Sequence, residues 1–204
     1  MIHEQDFKSV RKSLQQDTEL VEGLKKGNKD CFTVLIKKYQ SNVYNTALGF
    51  LQNSEDAEDL AQEVFIQVFQ SVHSFKGDSK LSTWIYRITV RRSIDVLRSR
   101  KTQKRFASVK SLFGLNNELR FDSPDFNHPG VLMENRERAA TLFKAINRLS
   151  DNQKAAFILH KLEGQRHQEI AEILKISVAS VESLIFRAKT NLKKIIETHY
   201  KGIL

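Results

Sequence analysis

Prolines are nearly absent from this chain, and their position divides it in two. The 204 residues include only two prolines, Pro124 and Pro129, and eight glycines. Because proline interrupts helices, the tracts on either side of this pair can form long helices, and helical spacing of apolar residues runs through both tracts. The sequence therefore predicts an all-α protein made of two small helical domains joined by a flexible linker.

Domain boundaries are expected where the helical spacing begins and where it fades. Residues 1–16 are polar and predict an N-terminal arm, whereas residues 17–100 predict a first helical bundle. Residues 101–130 begin with a cluster of basic residues and end in FDSPDFNHPG, which is typical of a linker. Residues 131–204 then predict a second helical domain.

The stretch SEDAEDLAQEVFIQVFQSV predicts an amphipathic helix, because its apolar residues recur every three or four positions. The opposite face is acidic, and the stretch contains no basic residue. Asn53 or Ser54 is a suitable N-cap. Ile66 falls on the acidic face, where it is either a lone exposed side chain or part of a docking surface for a basic partner.

A second helix, from Leu81 to about Arg100, carries a line of arginines. At 100° per residue, Arg87, Arg91 and Arg98 fall close to one line along the helix. Such a line suits a phosphate backbone, because each guanidinium group can bind two phosphate oxygens. The alternative is a solvated face on which Asp95 pairs with one of these arginines.

The loop SFKGDSK joins these two helices, and Gly77 followed by Asp78 is typical of a turn. Phe75 precedes the turn and has two possible roles. It either fills the core or offers a ring on which an unpaired base can stack. The residues alone do not decide between these roles.

Residues 167–194 fit a helix-turn-helix, with the small residue Ala171 in the first helix and apolar residues around the turn. Lys175 stands at the turn position that is usually glycine, and Ser177 is a good N-cap for the second helix. The outward face of that helix starts with small residues and continues with Arg187 and Lys189, which suits a major groove. The alternative is a helical hairpin that binds only protein.

Composition limits the function classes. The formal net charge is +9, which favours a nucleic-acid partner. A single cysteine, a polar N-terminus and the lack of a long apolar run predict a cytoplasmic protein without membrane insertion. No enzyme motif is found: His160, Glu163 and His167 lack the spacing of a zinc protease, and there is no glycine-rich phosphate loop. We therefore expect neither catalysis, nor a metal, nor a cofactor.

DAEDLAQEVFIQVF followed by SFKGDSKLSTWIYRITVRRSIDVLR resembles region two of the extracytoplasmic-function (ECF) sigma factors of bacterial RNA polymerase, within the sigma-70 family. The resemblance implies that the acidic helix docks on the clamp of core RNA polymerase, and that the loop and second helix open and read the minus-ten promoter element. Implied polymerase-binding residues are Asp56, Asp59, Gln62, Glu63 and Ile66. Implied minus-ten residues are Phe75, Lys80, Ser82, Thr83, Trp84, Arg87, Arg91 and Arg98. Arg91 stands where the family often has asparagine.

RLSDNQKAAFILHKLEGQRHQEIAEILKISVASVESLIFRAKTNL resembles sigma region four, which binds the minus-thirty-five element and the flap of the polymerase. Implied minus-thirty-five residues are Ser177, Ala179, Ser180, Glu182, Ser183, Phe186, Arg187 and Lys189. Glu182 stands where a basic residue is common in the family. The resemblance also implies an anti-sigma factor as a partner.

These features together predict an alternative sigma factor that binds core RNA polymerase and promoter DNA. The rival hypothesis is a helix-turn-helix regulator that acts without core polymerase. The rival explains the helix-turn-helix, but it explains neither the acidic helix nor the line of arginines.

Overall fold

The protein is described by a computed structural model covering residues 16–112 and 136–201. Within these ranges the chain forms helices and no strand, which confirms the predicted all-α fold. Nearly all of the predicted N-terminal arm lies outside the described residues. The helices are α1 (residues 16–25), α2 (Lys29–Leu51), α3 (Ser54–Ser71), α4 (Leu81–Leu112), α5 (Arg136–Ile146), α6 (Asp151–Lys161), α7 (His167–Leu174) and α8 (Val178–Lys201).

The first bundle consists of α1 to α4. Asn28 caps α2 by accepting hydrogen bonds from the backbone N–H groups of Asp30 and Cys31. Asn53 caps α3 in the same way, as predicted. The short connections make α2 and α3 neighbours, and both pack on α4. The largest fully buried side chains of this bundle are Leu24, Leu35, Val43, Phe50, Leu60, Val64, Leu81 and Ile85.

Helix α4 is longer than the sequence predicts. The expected end at about Arg100 is wrong, because α4 continues to Leu112. Apolar spacing fades after residue 100, but residues 101–112 contain no proline or glycine and include several good helix formers, so the backbone hydrogen bonds continue. The first part of the predicted linker, residues 101–112, is therefore helical. The rest of that linker, residues 113–130, lies outside the described residues, and the domain boundaries remain predictions.

The second bundle consists of α5 to α8. Helix α8 packs against α5, α6 and α7, so it is the central element of this bundle. One apolar cluster lies between α5, α6 and α8. It contains Ala145, Ile146, Leu149, Phe157, Ala188 and Leu192.

The two bundles pack directly against each other, a contact that the sequence analysis did not predict. Helix α2 contacts α6, and α4 contacts α7. Ile158 of α6 belongs to the same apolar cluster as the core of the first bundle. At Gly49 the approach is so close that a Cβ atom would lie 3.0 Å from Leu162 Cδ1 and 3.1 Å from Ile158 Cγ2.

A polar chain crosses the same interface. Gln52 ends α2 in the left-handed conformation, with φ 58°, and it is 3% exposed. Its Nε2 donates to the carbonyl of Phe143 (2.9 Å), and its Oε1 accepts from Asn147 Nδ2 (2.6 Å). Lys154 Nζ donates to Asn147 Oδ1 (2.8 Å). Placing a residue that has a Cβ atom in the left-handed conformation raises the free energy of the folded state by roughly 1–2 kcal/mol. The hydrogen bonds between the bundles offset this increase.

Burial of Lys154 predicts a pH dependence of stability. Burial lowers the pKa of its ammonium group from 10.5 to about 8; Lys101 acts in the same direction and Asp151 opposes it. Between these two pH values the folded chain binds fewer protons than the unfolded chain, so stability rises with pH. We expect the free energy of unfolding to increase from pH 8 to 9.5, by at most about 1.4 kcal/mol per pH unit.

Chemical denaturation at several pH values tests this expectation. Lys154→Met should remove the part of the rise that Lys154 causes, whereas Lys161→Met, at an exposed position of the same helix, should keep it. If the free energy of unfolding of Lys154→Met rose with pH as steeply as that of the unaltered chain, Lys154 would not be the cause of the rise.

Candidate functional site

The acidic side of α3 forms an accessible surface on the first bundle. Asp59, Gln62 and Glu63 are exposed, Ile66 is 54% exposed, and Asp56 is half-buried. All five residues implied to bind polymerase thus lie on one side of one helix. We call these five residues the acidic ridge.

Two arginines of α4 border the acidic ridge. Arg92 pairs with Glu63, and Arg100 Nη2 lies 2.5 Å from Asp56 Oδ1. The sequence analysis missed both arginines, because their pairing depends on α3 and α4 packing side by side. Both pairs are partly exposed, and ion pairs that water can reach add little to stability, so a binding partner can replace them at small cost in free energy.

An open groove of about 780 Å³ lies beside Ile66, between α2 and α3. Its apolar lining includes Phe32, Ile36 and Phe65. The ring of Phe32 also packs on Phe69, with centroids 5.1 Å apart. Ile66 is therefore continuous with a larger apolar surface, which favours a docking surface over a lone exposed side chain.

The basic residues of α4 and its preceding loop are engaged by the second bundle. Lys80 Nζ lies 3.2 Å from Glu169 Oε1, and Arg98 Nε lies 3.0 Å from Asp151 Oδ2. Arg87 donates to the carbonyl oxygen of Glu172 from both Nε (3.1 Å) and Nη2 (2.9 Å). The alternative in which Arg98 pairs with Asp95 of its own helix is wrong here, because Asp151 of α6 takes that place. Arg91 is exposed.

The loop before α4 combines an aromatic pair with a cavity. The rings of Phe75 and Trp84 pack at 5.2 Å between centroids, and both side chains are half-buried. Lys25 Nζ donates to the Phe75 carbonyl (3.1 Å), which ties the loop to α1. A cavity of about 230 Å³ lies between this loop and α1, lined in part by Lys76 and Lys80.

The side chains in the first turn of α4 differ in their exposure to solvent. Ser82 is half-buried, whereas Thr83 is only 3% exposed. Thr83 is therefore not accessible in the arrangement described, and its implied contact with DNA stays a prediction. Periodicity could not show this, because Ser82, Thr83 and Trp84 are consecutive and only the neighbouring helices decide which of them is covered.

Helices α7 and α8 form the predicted helix-turn-helix. Lys175 adopts the left-handed conformation, with φ 56°, at the turn position where glycine is usual. Ser177 caps α8, since its Oγ accepts from the backbone N–H of Ser180 (3.2 Å). Ile170 and Val181 are buried between the two helices.

The outward face of α8 and its N-cap is open to solvent. Phe186 is 71% exposed, which is unusual for a large apolar side chain. Glu182 lies near His167, with Glu182 Oε1 3.6 Å from His167 Nδ1. Every residue implied to read the minus-thirty-five element is exposed: Ser177, Ala179, Ser180, Glu182, Ser183, Phe186, Arg187 and Lys189.

The histidine pair of the second bundle does not form a metal site with Glu163. The rings of His160 and His167 lie 5.0 Å apart. Glu163 instead accepts a hydrogen bond from Tyr86 Oη (2.9 Å) in the first bundle. Burial raises the pKa of Glu163, and the hydrogen bond from Tyr86 opposes this effect. Within the described part of the chain, no group of three or more His, Cys, Asp or Glu side chains could hold a metal ion.

Two family models match the chain, one on each side of the prolines. The model described as Sigma-70 region 2 matches residues 35–103, and the model described as Sigma-70, region 4 matches residues 140–192. No helix in the described ranges has the length and apolar content needed to cross a bilayer.

Similar proteins extend this result over most of the chain, and a solved structure has a similar fold. The RNA polymerase sigma-H factor of Pseudomonas aeruginosa is 30% identical and covers 90% of this chain and 95% of its own length. The ECF RNA polymerase sigma-E factor of Escherichia coli K12 is 32% identical, covering 85% of this chain and 90% of its own. CnrH, solved with the cytosolic domain of CnrY, has a TM-score of 0.65 at 20% identity and covers 90% of this chain and 98% of its own.

Proposed function

Because this chain belongs to the ECF subfamily of the sigma-70 factors, we propose that three of its surfaces each carry one step of promoter-specific initiation. The chain is an alternative sigma factor that directs transcription with core RNA polymerase. In the proposal, the acidic ridge binds core polymerase. The loop and face of α4 read the minus-ten element, and the outward face of α8 reads the minus-thirty-five element.

The observation that carries the proposal is the separation of opposite charges onto different surfaces. Asp59 and Glu63 stand on α3, far along the chain from Arg187 and Lys189 on α8. A surface of carboxylates repels phosphate, so the acidic ridge is suited to a basic protein partner and not to DNA. Exposed arginine and lysine side chains on α8 are suited to a duplex.

For the minus-ten element, Lys80, Arg87, Arg91 and Arg98 supply cations for the phosphates of one strand. Phe75 and Trp84 supply an aromatic edge, and the cavity beside the loop offers a place for a base that has left the stack. Ser82 lies at the start of the same helix and contacts DNA in this proposal.

For the minus-thirty-five element, the first turns of α8 enter the major groove. The small side chains of Ala179, Ser180 and Ser183 permit close approach, and Glu182 can accept a hydrogen bond from a cytosine amino group. Arg187 and Lys189 then bind phosphate or guanine further along the helix.

A helix-turn-helix regulator that acts without polymerase is the second candidate. The exposed helix-turn-helix face is compatible with it. The acidic ridge and the apolar groove beside Ile66 favour the sigma-factor function, since a regulator of that kind has no need for such a surface.

The proposal includes the setting in which the chain works. Sigma factors of this family regulate transcription and are not enzymes, and we assign this chain no catalytic activity. It works in the cytoplasm with RNA polymerase. An anti-sigma factor is a further proposed partner, supported by the similar solved structure of the sigma factor RpoE in complex with the anti-sigma factor NepR from Bartonella quintana.

Reconstituted transcription tests the proposal. Purified chain, core RNA polymerase and fragments of the source genome are combined, and transcript 5′ ends are mapped. We expect a set of start sites that requires both the chain and core polymerase. Binding of the chain alone to an operator, with unchanged start sites, would instead support the independent regulator.

A further inference from the structure

Phe186 places a large apolar ring in water at the centre of the outward face of α8. Its side chain is 71% exposed, the highest value among the exposed large apolar side chains of the described residues. At 100° per residue, Phe186 points about 160° away from Ala188, which is fully buried, and within about 20° of Ala179. The ring therefore lies on the same line as the small side chains of the first turn.

On its own helix, the ring has polar neighbours. All four residues one turn away on this face are exposed and polar: Glu182, Ser183, Lys189 and Thr190. A surface that docks another protein usually offers a contiguous apolar patch, as Ile66 does beside its groove. A single ring among polar and basic side chains instead suits a partner that presents one small apolar group among hydrogen-bond donors and acceptors.

The major groove of DNA has this chemistry. Base edges there present donors and acceptors, and the apolar group among them is the 5-methyl group of thymine. We propose that Phe186 reads an A·T pair of the minus-thirty-five element by packing its ring on the thymine methyl group. This inference deepens the proposed function and rests on it, because it assumes that the outward face of α8 enters the major groove.

The sizes of the side chains along α8 fit this role. Ala179 and Ser183 are small, so the first turns can approach the base edges closely. A straight helix then moves away from the floor of a curved groove, and a longer side chain is needed to keep contact. Phe186 lies about 10 Å along the helix axis from Ala179. Arg187 and Lys189, exposed on either side of this line, can hold the phosphates.

Contact with the methyl group supplies sequence discrimination that the cations of α8 do not supply. Contacts with phosphate position the helix but carry no sequence information. Packing of the ring on the methyl group removes apolar surface of both partners from water, and burial of one methyl group changes a binding constant by about fourfold. Cytosine lacks this group, so Phe186 favours thymine at one base pair.

Promoters with modified bases isolate the methyl group. The promoter is chosen from the start sites that the reconstituted holoenzyme reveals, and each thymine of its minus-thirty-five element is replaced in turn by deoxyuridine, which lacks only the methyl group. Holoenzyme binding is measured by competition against the labelled, unmodified promoter. With the unaltered chain, we expect one thymine whose replacement weakens binding about threefold to fivefold.

Phe186→Ala should abolish this sensitivity, because the methyl group then has no ring to contact. Phe186→Leu keeps an apolar side chain and should retain part of the sensitivity. Val34→Ala is the control, since it truncates another apolar side chain, 52% exposed on α2, and should behave as the unaltered chain does. All three variants change exposed side chains, so we expect each of them to fold, which circular dichroism verifies.

A second comparison adds the methyl group to a different base. The sensitive thymine is replaced by cytosine in one promoter and by 5-methylcytosine in another, with guanine opposite in both, so these two promoters differ only by the methyl group. We expect the unaltered chain to bind the 5-methylcytosine promoter about threefold to fivefold more tightly. Phe186→Ala should bind both promoters equally.

Equal responses of the unaltered chain and of Phe186→Ala to every deoxyuridine would overturn the inference, as would a minus-thirty-five element that contains no thymine. Both results leave the start sites in place, so they would refute the role of Phe186 and not the sigma-factor function. Absence of start sites that depend on the chain would refute the proposed function itself, and with it this inference.

Discussion

Replacing both Asp59 and Glu63 by lysine is expected to weaken binding to core RNA polymerase at least about 100-fold. Both residues belong to the acidic ridge, and their reversal would place like charges against a partner that this ridge attracts. Like-charge contacts across an interface cost several kcal/mol, and each 1.4 kcal/mol changes affinity tenfold. Fluorescence anisotropy of the labelled chain, titrated with core polymerase, measures the effect.

The control for this pair is Asp95→Lys combined with Glu197→Lys. It makes the same change in net charge at two other exposed positions, and we expect its affinity to stay within threefold of the unaltered chain. The unfolding temperature of the test variant should change little, because the Glu63–Arg92 pair is exposed. Equal losses in both double variants would show that the ridge has no specific role.

Arg187→Ala is expected to reduce initiation from a promoter that depends on the minus-thirty-five element by about tenfold to 100-fold. Arg187 is exposed on the outward face of α8, and a lost arginine contact to guanine or phosphate typically costs roughly 1–3 kcal/mol. Abortive or single-round transcription with holoenzyme measures the effect. The promoter is chosen from the start sites that the reconstituted holoenzyme reveals.

Lys193→Ala provides the comparison, because it removes a positive charge from the same helix at a residue that pairs with Glu197. We expect this variant to retain most of its activity. A promoter whose minus-thirty-five element has been replaced should respond equally to the unaltered chain and to Arg187→Ala. Full activity of Arg187→Ala on the intact promoter would refute a role for this side chain.

Helix starts and faces were largely predictable because they depend on neighbours in sequence. Asn53 and Ser177, which the sequence offered as N-caps, cap their helices through bonds that reach only three residues. The 3.6-residue period placed the acidic residues and Ile66 on one face of α3 and defined the outward face of α8, whereas the binding roles of these residues came from the resemblance to the family. The end of α4 was not predictable from apolar spacing, since the backbone hydrogen bonds of a helix continue without it.

The sequence by itself determined an all-helical chain, the faces of its helices and the family to which it belongs. Only the tertiary structure decided which faces meet: that Arg92 pairs with Glu63, that Thr83 is buried, and that Tyr86 bonds to Glu163 of the other bundle. Local periodicity specifies that a stripe is apolar or charged, but it does not specify the element that covers it. That choice depends on close packing between segments distant in sequence, as at Gly49, where the absence of a side chain admits the second bundle.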